Sequence, residues 1–122
     1  SDAYDLFQQG RAHLQAGMAA QATVALEKAK KLEPDKTSIR EALGIAYFRI
    51  QRWREAEAEF RAVLELSPAD DYAHYALGRA LEKQGRPAEA NGHYKLASSL
   101  SPKSERYAER IMELDGDPED AG

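Results

Sequence analysis

Three histidines, His13, His74 and His93, are the side chains in this chain best suited to general acid–base work or to metal binding. Imidazole titrates near neutral pH and is the commonest metal ligand, so the spacing of these residues comes first. No two of them stand four apart, as a helical zinc site needs, and no carboxylate completes a ligand set beside them. The chain has no cysteine, which excludes disulfides, thiolate nucleophiles and thiolate-bound zinc. Its glycines are spread out rather than gathered into a phosphate loop, and no nucleophile turn accompanies a serine. The carboxylates of Asp115, Asp117, Glu119 and Asp120 lack the length and ligand spacing of a calcium loop. No catalytic residue, metal site or cofactor is expected, and the chain is not expected to be an enzyme.

Charge narrows the partners. Those four tail carboxylates account for the whole formal charge of -4, since no Lys or Arg follows Asp115. The remaining acidic residues match the 17 basic ones, so the body is nearly neutral. A nucleic-acid binder would carry excess basic charge on one face, so nucleic acid is not an expected partner. No run approaches the roughly 20 apolar residues of a membrane span, and no secretory signal is visible. A membrane is therefore not expected as a partner either. Ser1 rather than Met opens the chain, as in an excised or processed fragment, so the compartment stays open, with the cytoplasm as the default.

What would position any site here is a repeat. A step of 34 residues links Gly10, Gly44 and Gly78, and likewise Pro34, Pro68 and Pro102. The same step links Ala22, Ala56 and Ala90, then Ala12, Ala46 and Ala80, then Leu32, Leu66 and Leu100. A fixed period of this size marks stacked repeats. Apolar residues such as Ala42, Leu43, Ala46, Tyr47 and Ile50 recur at helical spacing. Gly17 and Gly85 follow one helical pattern each, and Pro87 suits the first turn of the next helix. The pattern predicts helices near 3–16, 19–32, 37–50, 53–66, 71–84 and 87–100, with a seventh near 104–114. Each unit is then a helical hairpin. Mid-helix glycine costs about 1 kcal/mol against alanine, so three such glycines in register imply a close helix crossing. Ala22, Ala56 and Ala90 would be the small partners, with Leu26, Phe60 and Tyr94 filling the space around them.

These residues resemble the tetratricopeptide repeat, whose pattern is W-x2-L-G-x2-Y, then A-x3-F, then P. The middle unit reads Leu43-Gly44-x2-Tyr47, Ala56-x3-Phe60, Pro68. The third reads Leu77-Gly78-x2-Leu81, Ala90-x3-Tyr94, Pro102, and the first Gln9-Gly10-x2-His13, Ala22-x3-Leu26, Pro34. Departures are Leu6, Arg40 and His74 in place of the leading aromatic, and His13 in place of the tyrosine. The resemblance implies an all-α fold, an α-α superhelix: a right-handed solenoid of three helical hairpins plus a capping helix. Repeats fall at about 3–36, 37–70 and 71–104, within a domain spanning 1–114. Ala108, Ile111 and Met112 would cover the last repeat while Glu105, Arg106, Glu109, Arg110 and Glu113 face water, as an array's end needs. Residues 115–122 read as a disordered acidic tail. His13 and His74 fall at packing places, and Trp53 is expected to pack where the family favours an aromatic.

The resemblance also places a groove. In such arrays the first helix of each hairpin lines a concave side. Here that face carries Tyr4, Phe7, Arg11 and Gln15, then Ser38, Glu41, Ile45, Phe48 and Arg49, then Tyr72, Tyr75, Arg79 and Glu82. Aromatics and arginines are the usual hot-spot residues of protein interfaces, and arginine pairs bidentately with carboxylates. The expected function is an interaction scaffold holding a peptide segment of a partner protein, with the acidic tail as a second candidate occupant. Self-association through Ile111, Met112 and Leu114, or through the open array ends, is the alternative. Family members that grip chaperone tails use a set of Lys, Arg and Asn. At those places stand Phe7, Arg11, Ala42, Tyr72 and Ala76, of which only Arg11 fits, so that mode is not expected.

Overall fold

A computed structural model describes residues 2–115. Its helices are α1 (Ala3–Gln15), α2 (Ala19–Leu32), α3 (Thr37–Arg49), α4 (Trp53–Leu66), α5 (Asp71–Lys83), α6 (Pro87–Leu100) and α7 (Glu105–Asp115). No strand occurs among the described residues. Each end lies within one residue of its expected place. The acidic tail expected over 115–122 lies outside the described residues beyond the backbone of Asp115.

Local chemistry sets the ends. Asp2 and Asp70 cap α1 and α5 by accepting the backbone N–H of Asp5 and Ala73 at 2.8 and 3.0 Å, satisfying donors that a helix start leaves orphaned. Pro87 occupies the first turn of α6. The first helix of every hairpin ends alike. Met18, Arg52 and Arg86 donate back to the carbonyls of His13, Tyr47 and Leu81 at 2.8, 2.9 and 3.0 Å. The residue just before each donor is left-handed: Gly17, Gln51 and Gly85, with φ of 75°, 65° and 73°. This is the Schellman ending, repeated at the period of the sequence.

Each helix packs on the next in sequence, and α1 also touches α3 as α3 touches α5. No comparable contact joins α2 to α4 or α4 to α6. First helices therefore crowd together while second helices splay apart. The stack curves, with α1, α3 and α5 on the inner wall.

The glycines lie where helices cross, but opposite large residues rather than small ones. A Cβ on Gly10 would come within 2.5 Å of Leu26, on Gly44 within 2.8 Å of Phe60, and on Gly78 within 2.6 Å of Tyr94. Each glycine thus receives the bulky side chain of its partner helix. Ala22, Ala56 and Ala90, all fully buried, let that helix approach.

The last helix caps the array with a residue that periodicity had not singled out. Tyr107 on α7 is 2% exposed; it lies 5.1 Å from the Tyr75 ring and donates its hydroxyl to Asp71 at 2.7 Å. Burial, followed by that bond, pushes its phenol up to about 12. Ala108, expected beneath α7, is exposed. Arg110 closes the cap by pairing with Glu82, which also accepts the hydroxyl of Tyr94. Ile111 leans on the chain's own core; the side chains of Met112 and Leu114 lie outside the described residues.

Candidate functional site

Inner-wall side chains follow from the hairpin register: positions one repeat apart fall in rows across α1, α3 and α5. Arg11, Ile45 and Arg79 share one row, and Gln15, Arg49 and Lys83 the next. Six of the expected groove residues meet at one cleft between α3 and α5. Ile45, Tyr72 and Tyr75 form its apolar sides, and Arg49 and Arg79 its charged side. Buried Phe60 reaches it from α4, and Phe48 completes the wall. Its volume is about 170 Å³.

The cations here are held by rings and carbonyls. The Arg79 guanidinium lies 5.3 Å over Phe48, and that of Arg11 lies 5.7 Å over Phe7. Arg49 donates to the carbonyl of Leu14 at 2.9 Å, spanning two repeats. Among the described residues no carboxylate pairs with Arg11, Arg49 or Arg79, and the buried Nε of Arg79 has no acceptor. Several cations elsewhere are spent on carboxylates, whereas Arg106 lies over the Tyr75 and Tyr107 rings and Lys83 over Trp53. Glu59, 4% exposed, sits between Lys30 and Arg40 at 2.9 and 3.0 Å. Glu57 takes Arg61, Arg86 and Gln84. Burial pushes the Glu57 carboxyl up, but the bonds from Gln84 and Arg61 outweigh it and hold it below the usual carboxylate range.

The opposite rim is acidic. Glu41, half-buried on α3, has its carboxyl raised by burial and then by the negative charges of Asp70 and Asp71. Burial, then Glu41, raises the neighbouring Tyr72 phenol. The N-terminal ends of α3 and α5 thus carry three carboxylates, with Arg106 over the Tyr75 ring beside them, and arginines stand near the C-terminal ends.

The remaining expected groove residues are distributed differently. Tyr4, Phe7 and Ser38 line a separate, larger depression of about 440 Å³ with Ile39 and Lys36. Gln15 is exposed at the end of α1. Glu82 is tied to Tyr94 and Arg110 under the cap. Trp53 packs edge-on to Phe48 with centroids 4.9 Å apart. Among the described residues no cluster of three or more His, Asp or Glu could hold a metal, and no helix is long and apolar enough to cross a membrane.

The tetratricopeptide repeat profile matches residues 7–70 and again 41–105, two overlapping windows in the phase of the hairpins. The chain belongs to the tetratricopeptide repeat family. A relative, cellulose synthase operon protein C of Pseudomonas fluorescens (strain SBW25), is 35% identical over 101 residues. That match takes in 81% of this chain and 8% of the relative, so the chain spans a small part of that protein's length. MamA 41-end from Desulfovibrio magneticus RS-1 superposes with a TM-score of 0.90 at 24% identity, covering 93% of this chain and 64% of that solved chain. The first TPR domain of Spaghetti (RPAP3), solved bound to the HSP90 peptide SRMEEVD, gives a TM-score of 0.89 at 19% identity, covering 93% and 90%. These likenesses establish a TPR superhelix.

Proposed function

We propose that this TPR module, taken as residues 1–114, is a non-catalytic protein-interaction scaffold whose inner wall holds a peptide segment of a partner. The observation that carries this reading is the set of arginines without carboxylate partners, Arg11, Arg49 and Arg79, on a wall of aromatic rings. Desolvated arginine and aromatic side chains are where interfaces gather their energy. The Spaghetti domain supports a peptide as occupant, since it was solved with one. Its mode of capture is not carried over, because Phe7, Ala42, Tyr72 and Ala76 stand where a carboxylate-gripping set would need polar or charged side chains.

The test is site-specific cross-linking. A photoreactive phenylalanine at Tyr75 should trap a partner from the native host, and the same group at exposed Glu65 on α4 should not. Reversing Arg11, Arg49 and Arg79 to glutamate should abolish the trapping at position 75. Equal trapping at both positions, or trapping that survives the triple reversal, removes the reading.

A further inference from the structure

Resting on that peptide-binding reading, we propose that the cleft between α3 and α5 seats one large apolar side chain of an acidic segment, whose neighbouring carboxylate pairs with Arg49 and Arg79. The cleft's size selects a side chain rather than a small molecule. At about 170 Å³ it lies below the roughly 300–1,000 Å³ of small-molecule sites. It holds the share of about five or six waters. Its surroundings are Ile45, Tyr72, Tyr75 and the buried ring of Phe60. Covering an apolar side chain against such a surface takes it out of water and favours binding.

Charge selects what stands beside that anchor. Lys30, Arg40, Arg61, Arg86 and Arg110 each face a carboxylate of their own chain. Arg49 and Arg79 face none among the described residues, and the Nε of Arg79 is left buried without an acceptor. An unmet buried donor is costly, and a carboxylate would satisfy it with charge-assisted bonds once the guanidinium turns from Phe48. Glu41, Asp70 and Asp71 at the other rim outnumber Arg106, which lies over Tyr75, so acid is disfavoured there. The segment is thereby oriented, with its acidic residue toward the C-terminal ends of α3 and α5. The chain's own residues 116–122 are acidic but offer no side chain larger than Pro118 or Ala121 outside their carboxylates. They lack the anchor.

The experiment is selection from a displayed library of random dodecapeptides on the whole chain, followed by anisotropy titration of the best synthetic peptide. The expected winners carry Leu, Ile, Met or Phe with Asp or Glu within two positions on one side. Changing that acid to its amide, or the anchor to glycine, should each weaken binding tenfold or more. Arg79→Gln and Arg49→Gln should weaken the acidic peptide about as much, yet leave its amide version unaffected; circular dichroism checks that both variants stay folded. Winners without acid, an equal loss of acidic and amide peptides on Arg79→Gln, or displacement by a peptide of residues 115–122 at matching affinity would overturn the proposal. If winners ignore charge but still compete with cross-linking at Tyr75, this inference falls and the scaffold reading stands. If no winner competes there, both fall.

Discussion

His74 and His93 point their Nδ1 atoms at each other, 3.1 Å apart, across the α5–α6 hairpin. The ring centroids are 5.4 Å apart and the planes differ by 22°. The excess of centroid over nitrogen separation is about what two ring radii span, so the rings meet edge to edge in nearly one plane. His74 Nε2 lies 3.0 Å from the carbonyl of Pro68. A carbonyl only accepts, so Nε2 carries the proton, Nδ1 of His74 is bare, and Nδ1–H of His93 donates to it. One proton fits between the rings. Head-on lone pairs at this distance leave no room for a metal about 2.0–2.1 Å from each nitrogen. One repeat earlier the same two positions hold Arg40 and Glu59, and Arg40 likewise donates to the carbonyl of Pro34, at 2.7 Å. In the first repeat they are Leu6 and Ala25, both buried. One joint is thus built three ways: apolar, ionic and histidine-paired.

Only the histidine version is built from imidazole, the side chain whose ordinary titration range lies near neutral pH. Burial, then the charges of His74 and Arg61, hold His93 below its usual 6.5, with Glu89 and Glu57 opposing weakly. The unfolded chain, unperturbed near 6.5, binds a proton before the folded one does, so stability is lost as pH falls from about 6.5 through the lower folded value. The native chain should lose on the order of 2–5 °C in Tm between pH 7.5 and 5.5. His74→Arg with His93→Glu, which installs the middle repeat's pair, should flatten that slope. An identical slope in the double variant would refute this assignment.

Gln51 occupies the left-handed position that Gly17 and Gly85 fill in the flanking repeats. A side chain there costs about 1–2 kcal/mol, against about 0.5–1 kcal/mol for the extra freedom glycine gives the unfolded chain. Gln51→Gly should therefore stabilise by up to about 1.5 kcal/mol, seen as a higher urea midpoint at unchanged slope. A lowered midpoint would contradict it.

The three glycine crossings should differ in tolerance. At Gly78 a new Cβ meets the Tyr94 ring at 2.6–2.9 Å. That ring is fully buried and its hydroxyl is fixed to Glu82, so it cannot retreat. At Gly10 the new Cβ would meet Cγ and Cδ2 of Leu26 at 2.5 Å; that leucine is also fully buried, but it has no hydrogen bond to lose if it shifts. Alanine gains about 1 kcal/mol of helix propensity in both places. Gly78→Ala should still cost about 1–3 kcal/mol net, Gly10→Ala about 1 kcal/mol or less, and Gly44→Leu at least as much as Gly78→Ala. Thermal unfolding of the three variants gives the order; equal losses would show that the crossings do not act through these contacts.

The 34-residue step was enough to read seven helices to within a residue, because breakers and apolar stripes recur in phase. It was also enough to find Gly10, Gly44 and Gly78 at crossings, though not what they face. The glycines oppose Leu26, Phe60 and Tyr94, since the pocket a glycine opens is filled by its partner's largest side chain. Tyr107 was legible in principle: one step back lies Ala73 and two back Ile39, both buried. The His74–His93 pair was not, because it joins two helices whose relative rotation no spacing within either reveals. The groove fared likewise. Register placed Ile45, Arg49, Tyr72, Tyr75 and Arg79 on one wall, but Glu82's commitment to Arg110 depends on how α7 docks.

Glu41 closes the electrostatic picture of that wall. Its carboxyl is raised by burial and by Asp70 and Asp71, so the folded chain holds a proton there that the unfolded chain has already released. Charged Glu41 therefore opposes folding at neutral pH, and its contribution improves as pH falls toward the unfolded value of 4.5, opposite in sign to His93. Glu41→Gln should raise Tm at pH 7.5 by about 1–3 °C, and the gain should shrink toward pH 4.5. With the rim charge gone, the acidic peptide should also bind with its orientation less strictly set, so that acid on either side of the anchor is tolerated. A variant that melts lower at pH 7.5 would mean that Glu41 is held by a favourable partner, and that the negative rim does not orient what the cleft receives.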